Sequence, residues 1–378
     1  VSRGLGDVYK RQLQTSGDAV KTILFCEEQF LKGKNVRPQF PGRNVGMMFG
    51  LESSLHPFIG HPSYREIADL PLSERVKIMK DPAFKEKLLN EKPNFASEIE
   101  KSMNEQGNTK SQEEIKEAAN LGLKLISNYD TQFILGDPPN YEPGKEDSIA
   151  ALAKSKGIAE LEVIYDEFLK NEGTNLVYAC FTPYDNHKLD FVERAYSLKS
   201  SVAGGSDGGA HCGLICDASM PTTNLSHWAR DREAGKKIPI ELIVRKQTKD
   251  TAETYGLFDR GEIKTGMLAD LNIIDFEKLN VTHPKMVYDL PLGGRRLIQT
   301  SSGYLATVKS GEVVYEAGEA TGVLPGKLIR GKQTCEVKTE KERVPFIDRT
   351  LRLMSVKAFK LLWNFRKSSV KTTVVSDD

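Results

Sequence analysis

The chain lacks most of the features that would settle its class on their own. It has only five cysteines in 378 residues. The number is odd and the spacing irregular, which argues against a disulfide framework and for a reducing, cytoplasmic setting. It has no excess of charge, since 53 Lys and Arg face 52 Asp and Glu for a formal net charge of +1. No basic surface therefore points to nucleic acid. No apolar run approaches membrane-spanning length, and no secretory signal is visible. Histidine is scarce, with His56, His61, His187, His211, His227 and His283 making up all six. No two of them stand in an H-x-H pair. At 39% hydrophobic and 28% charged residues, the chain is still long enough to bury a sizeable core.

What is present concentrates in Ser200 to Thr222, SSVAGGSDGGAHCGLICDASMPT. A short apolar run breaks into glycines and then a lone carboxylate, Asp207, with Gly208, Gly209 and His211 directly after it. Glycine lets the backbone turn sharply and keeps bulk away from whatever the carboxylate faces. An acid at the C-terminal tip of a strand is where (β/α)8 enzymes keep their chemistry. Capping of the following turn is the competing reading for the same residue.

Periodicity places elements around this loop. Gly17 to Asn35 reads as a helix and Val36 to Phe40 as a strand. The stretch 41–125, rich in Lys and Glu, reads as a helical insertion over a barrel mouth, with LSERVKIMK and DPAFKEKLLNE as helices. Thr131 to Gly136 is a strand, then come helices in DSIAALAKSKG and AELEVIYDEFLKNEG. Asn175 to Asn186 is a second strand, Leu189 to Ser200 a helix, and SVAGGSD a third strand. This alternation is the rhythm of a parallel barrel. After a helix over Ile240 to Gly256 the texture changes to short β segments, DLNIID, RLIQTSSG, YLATVKSG and EVVYEAG. Gly266 and Gly311 are the expected turn residues, and Gly311 follows Lys309 and Ser310 in the last hairpin.

Five phrases carry a resemblance: GGSDGGAH (Gly204 to His211), DASMPTTNLSHWARDR (Asp217 to Arg232), YGLFDRGEIKTGMLADLNIID (Tyr255 to Asp275), DLPLGGRRL (Asp289 to Leu297) and GEATGVLPGKLIRG (Gly318 to Gly331). In this order they resemble the amidohydrolase superfamily, in its N-acyl-D-amino-acid deacylase branch. The resemblance implies an α/β fold: the C-terminal part of a TIM-type (β/α)8 metal-dependent hydrolase barrel, over 13–260, plus a small β-sandwich over 261–331. It implies hydrolysis of a non-peptide C–N bond in a small N-acyl amino acid, with one or two zinc ions. Asp207 would be the general acid/base and a candidate metal ligand. Gly208, Gly209 and His211 would contact substrate, while Tyr184, Asn186 and His187 read as substrate-facing from their place at the end of a barrel strand. The family's ligands lie on earlier strands, the first as an H-x-H pair, which this sequence does not show. An N-terminally truncated chain with little activity of its own is the expectation that follows. The alternative is a non-catalytic remnant acting as a scaffold.

The ends read differently. VSRGLGDVYKRQ, residues 1–12, resembles translated adapter sequence and is set aside from the fold. Residues 332–378 form a basic tail with an amphipathic stretch over Val344 to Ser368. Docking on its own domain is the expectation there, rather than a membrane. Cys212 and Cys216, four apart, read as buried filler rather than ligands. His56 and His61, beside prolines, read as loop residues. Asp217 to Thr222 reads as a supporting loop or a helix start capped by Asp217 or Ser219.

Overall fold

In the computed structural model, the described residues are 16–95, 120, 122–182, 184, 187–206, 208–209 and 211–334. Asp207 and Asn186 lie outside them, as does the tail stretch Val344 to Ser368. The chain divides into two units. One comprises Val1–Ile243 with Asn280–Ser301, and the other Val244–Leu279 with Ser302–Asp378.

In chain order the strands are β1 (Gln39–Pro41), β2 (Val45–Phe49), β3 (Gln132–Ile134), β4 (Val177–Thr182), β5 (Val202–Gly204), β6 (Leu271–Ile274), β7 (Asn280–Val281), β8 (Lys285–Leu290), β9 (Gly294–Ile298), β10 (Ser301–Ser302), β11 (Tyr304–Lys309), β12 (Glu312–Glu316) and β13 (Glu319–Ala320). In the first unit β1 and β5 pair in parallel, Gln39 with Val202 through Pro41 with Gly204. A second sheet has the order β2-β4-β3 and is antiparallel throughout. Periodicity announces only the parallel rhythm. The reason for the reversal lies between β3 and β4. One crossover helix would return the chain for a parallel strand. Here there are two, Ile149–Lys156 and Glu160–Phe168, packed on each other. The second pass leaves the chain at the other end, and β4 runs back.

Those two helices form where their residues dictate. Ser148 caps the first, its hydroxyl accepting from the Ala151 amide at 3.2 Å. Gly157 ends it at φ +66°, a left-handed C-terminal stop that favours glycine. The second buries Val163, Ile164, Tyr165 and Phe168. The range 41–125 supplies the helices Pro62–Ile67, Leu72–Met79 and Pro82–Asn90, and also the strand β2. Asp81 caps the last of these helices and Pro82 opens it. All of these pack into one core around Phe49, Phe58, Met79, Leu88, Ile164 and Phe168. The Phe58 ring meets Tyr165 and Phe168 edge to face at 5.5 and 5.8 Å. Each such pair adds about 0.5–1.5 kcal/mol beyond the apolar burial.

His56 lies in a loop, as its neighbouring prolines suggest, and that loop is packed into this core. His56 is 1% exposed, edge-on to Tyr64 at 4.8 Å, and its Nδ1 accepts from the Phe58 amide at 3.2 Å. Burial first, then the positive Arg75 and Arg295, pull its pKa from the ordinary 6.5 down to about 3. Between those values the unfolded chain binds a proton that the folded chain refuses. Stability therefore falls as pH drops below about 6.5. From pH 6.5 to pH 5 the loss is about 2 kcal/mol. Urea unfolding at the two pH values checks this, and His56→Gln is expected to flatten the slope. Equal slopes in both proteins would contradict the assignment.

The second unit holds a four-stranded antiparallel sheet, β13-β12-β11-β6. Its β11–β12 hairpin turns at Ser310 and Gly311, with φ of +53° and +86°. Asp270 accepts from the Lys309 ammonium at 2.9 Å and from the Ser310 amide at 2.8 Å, which holds the turn. Gly266 has φ +92°. The expected helix over Ile240 to Gly256 is two helices, Ile240–Gln247 and Lys249–Thr254. Thr248, at φ −119° and ψ −84°, separates them. The hairpin of β8 and β9 groups with the first unit, not with the four-stranded sheet.

Candidate active site

Parallel β1 and β5 end side by side, and both run straight into glycine, Gly42 and Gly205. Gly205 sits at φ +86°. Gly42 is required by space: a Cβ there would fall 1.8 Å from the Asn224 side-chain oxygen. Its amide donates to Met220 Sδ at 3.2 Å, and its carbonyl accepts from Trp228 Nε1 at 2.6 Å. The strand tips are thus locked to the segment 220–228 that follows the glycine-rich loop. That segment is a short helix, Met220–Thr223, continuing into a π-helical turn, Asn224–Asp231. No side chain caps its start, neither Asp217 nor Ser219.

Asp217 is engaged elsewhere. The residue after Gly42 is Arg43, fully buried, and its Nη2 donates to Asp217 Oδ1 at 3.1 Å and to the Cys216 carbonyl at 2.9 Å. Its guanidinium also lies 3.6 Å from the centre of the Tyr141 ring. Burial by itself would weaken the proton's hold. The electrostatic pull of Tyr141, Asp217 and Tyr178 outweighs it and keeps Arg43 charged. Asn44 continues the network, donating to the Tyr141 carbonyl at 2.9 Å and accepting from the Tyr178 hydroxyl at 2.8 Å.

A second buried carboxylate lies beside Tyr141. Glu142 accepts from Arg232 Nε at 3.0 Å and meets His227 Nε2 at 2.7 Å. Arg232 also pairs with Glu193 at 2.7 Å. Burial would raise Glu142, but the hydrogen bonds and charges of His227 and Arg232 prevail and hold it below the usual carboxylate range. Sequence reasoning passed over Arg43, Glu142, His227 and Arg232 as individual residues. The one available signal was charge set among glycine, proline and aromatic residues, in FPGRNVG, NYEP and HWARDR.

The sequence-predicted residues are placed as follows. Gly208, Gly209 and His211 are exposed. Gly209 has φ +95° and His211 φ +46°, and the His211 carbonyl accepts from Leu214 and Ile215 at 2.8 and 2.9 Å. Tyr184 is buried beside Phe133 and His187, and its hydroxyl donates to the Pro143 carbonyl. Cys216 is buried, and burial pushes its thiol up to about 11. Cys212 is half-buried.

The described residues do not fit a metal ion. Among them no three His, Cys, Asp or Glu side chains converge at ligating distance. Burial keeps the Cys216 and Cys180 thiols protonated, whereas a metal takes the thiolate. Asp217 and Glu142 are held by arginines. Among the described residues no helix is long and apolar enough to cross a membrane.

Comparison with known proteins gives three findings. No curated protein matches the chain. Two solved D-aminoacylase structures are similar at 21% and 22% identity, each match covering 51% of this chain and 36% of the other. Their TM-scores are 0.29 and 0.28, and the second structure concerns the binuclear metal centre of that enzyme. Overlap of that quality transfers no architecture. The amidohydrolase family model matches residues 141–315, a span that includes Glu142, the loop after β5, Asp217, His227 and Arg232. Over residues 141–315, just under half of its length, this chain is similar to the amidohydrolase family.

Proposed function

We propose that the protein takes part in metal-dependent hydrolysis of the C–N bond of an N-acyl-D-amino acid. The observation that carries the reading is the amidohydrolase match over 141–315, which spans a glycine-flanked carboxylate just beyond the end of β5. Asp207 is the proposed proton carrier. It accepts a proton from the water whose oxygen bonds to the acyl carbon. It then returns that proton to the amine as the C–N bond breaks. Gly208, Gly209 and His211 are the proposed substrate contacts, on the exposed arm after Asp207. Tyr184 and Asn186 are proposed beside them, with Tyr184 reaching substrate only by releasing the Pro143 carbonyl.

Arg43 and Glu142 are positioning residues in this scheme. Arg43 fixes the start of the Asp217–Thr223 segment against β1, and Glu142 clamps the π-helical turn through His227 and Arg232. Zinc is the proposed ion, one or two per active centre. The described residues offer it no ligand set, so no step above is routed through it. The expected result for the 378-residue chain alone, supplied with zinc, is little or no turnover of N-acetyl-D-amino acids. Normal enzymatic turnover would contradict this.

The same absence of converging ligands favours one second reading, a non-catalytic amidohydrolase-like scaffold. Zinc content separates the two. A hydrolase carries about one or two zinc ions per molecule in its active form, and a scaffold carries none in any form.

A further inference from the structure

The first unit contains a cavity of about 270 Å³ away from the residues described above. Its floor comes from the turn after β2, Gly50 to Ser53, and from Leu176 at the start of β4. Its other side comes from His283 to Met286, at the start of β8, and from Leu297 on β9. The volume lies just under the roughly 300–1,000 Å³ typical of pockets for drug-sized ligands. It suits a single small metabolite.

The lining is chemically divided. Leu51, Leu176, Met286 and Leu297 make it apolar on one side. Among the polar groups, Ser53 is 5% exposed and its hydroxyl has no hydrogen-bond partner. A buried hydroxyl left in that state is costly to the fold, and a ligand would supply the missing bond. Lys285 makes no ion pair among the described residues. Glu52 accepts from the Tyr288 hydroxyl at 2.6 Å on one oxygen, which leaves the other for a donor. A cation, a carboxylate and a buried hydroxyl beside an aliphatic wall match one ligand class.

We propose that this cavity binds a free α-amino acid with a small aliphatic side chain. The carboxylate meets Lys285 and the Ser53 hydroxyl, the ammonium meets Glu52, and the side chain lies on the leucines and Met286. The cavity is also tied to the arm that follows Asp207. The Met48 and Ser54 amides donate to the Leu214 and Gly213 carbonyls at 2.8 and 2.9 Å, and the Leu297 amide donates to the Cys212 carbonyl at 2.7 Å. Binding here is independent of the hydrolytic reading and is measured without turnover.

The test is calorimetric titration of the purified full chain with D- and L-leucine, N-acetyl-leucine and leucinamide. Leucine is expected to bind saturably. The two analogues, lacking the ammonium or the carboxylate, are expected to bind at least about tenfold more weakly. Lys285→Met and Glu52→Gln should each raise Kd about tenfold or more. Ser53→Leu should fill the cavity and abolish binding. Lys285 is exposed, so its variant keeps the test intact if Ser53→Leu fails to fold. Absence of leucine binding to the folded protein would overturn the proposal. So would unchanged affinity in the Lys285 and Glu52 variants, or N-acetyl-leucine binding as tightly as leucine.

Discussion

Asp207→Asn is expected to lower turnover of N-acetyl-D-amino acids about 10²–10⁴-fold in a form of the protein that turns over substrate. Asparagine keeps the size and polarity of the side chain but can neither accept the water's proton nor return it to the amine. Zinc content and melting temperature should stay near those of the parent. Asp207→Ala should lose a similar factor, with some added loss of stability. A turn-capping role predicts the opposite pattern. Both variants would then melt earlier and keep most of their activity per folded molecule. Kinetics and thermal melts on the same samples separate the two.

Arg43→Met is expected to destabilise the first unit by about 3–5 kcal/mol, because it leaves the buried Asp217 carboxylate without its arginine. Replacing both partners, Arg43→Met with Asp217→Leu, should recover a large part of that loss, since no buried charge then stands alone. The pair joins residues 174 positions apart in the sequence. Its loss should therefore loosen the whole Cys216–Thr223 segment against β1. Urea unfolding of the single and double variants measures both effects. A single variant within about 0.5 kcal/mol of the parent would show that the pair contributes little.

Local elements were legible in the sequence because their signals are local. The β3 and β4 strands, the two helices between them and the Asp190–Ser197 helix follow from periodicity, caps and glycine stops. The Ser310–Gly311 turn is of the same kind. Strand direction was not legible, because it depends on how many times the chain crosses between β3 and β4. The strand β2 was hidden in a range whose Lys and Glu content speaks for helices. The site divides the same way. The glycine-flanked Asp207 can be picked out from its neighbours in the chain. The Arg43–Asp217 and Glu142–His227–Arg232 contacts join residues 174, 85 and 90 apart. No spacing rule in one sequence reaches that far.

A purified, folded form of the protein that holds zinc, assayed against paired N-acetyl-D- and N-acetyl-L-amino acids, tests the central claim most directly. The account predicts release of free amino acid from the D series, suppressed by a chelator and restored by zinc. Folded protein that holds zinc and releases amino acid from neither series would contradict it.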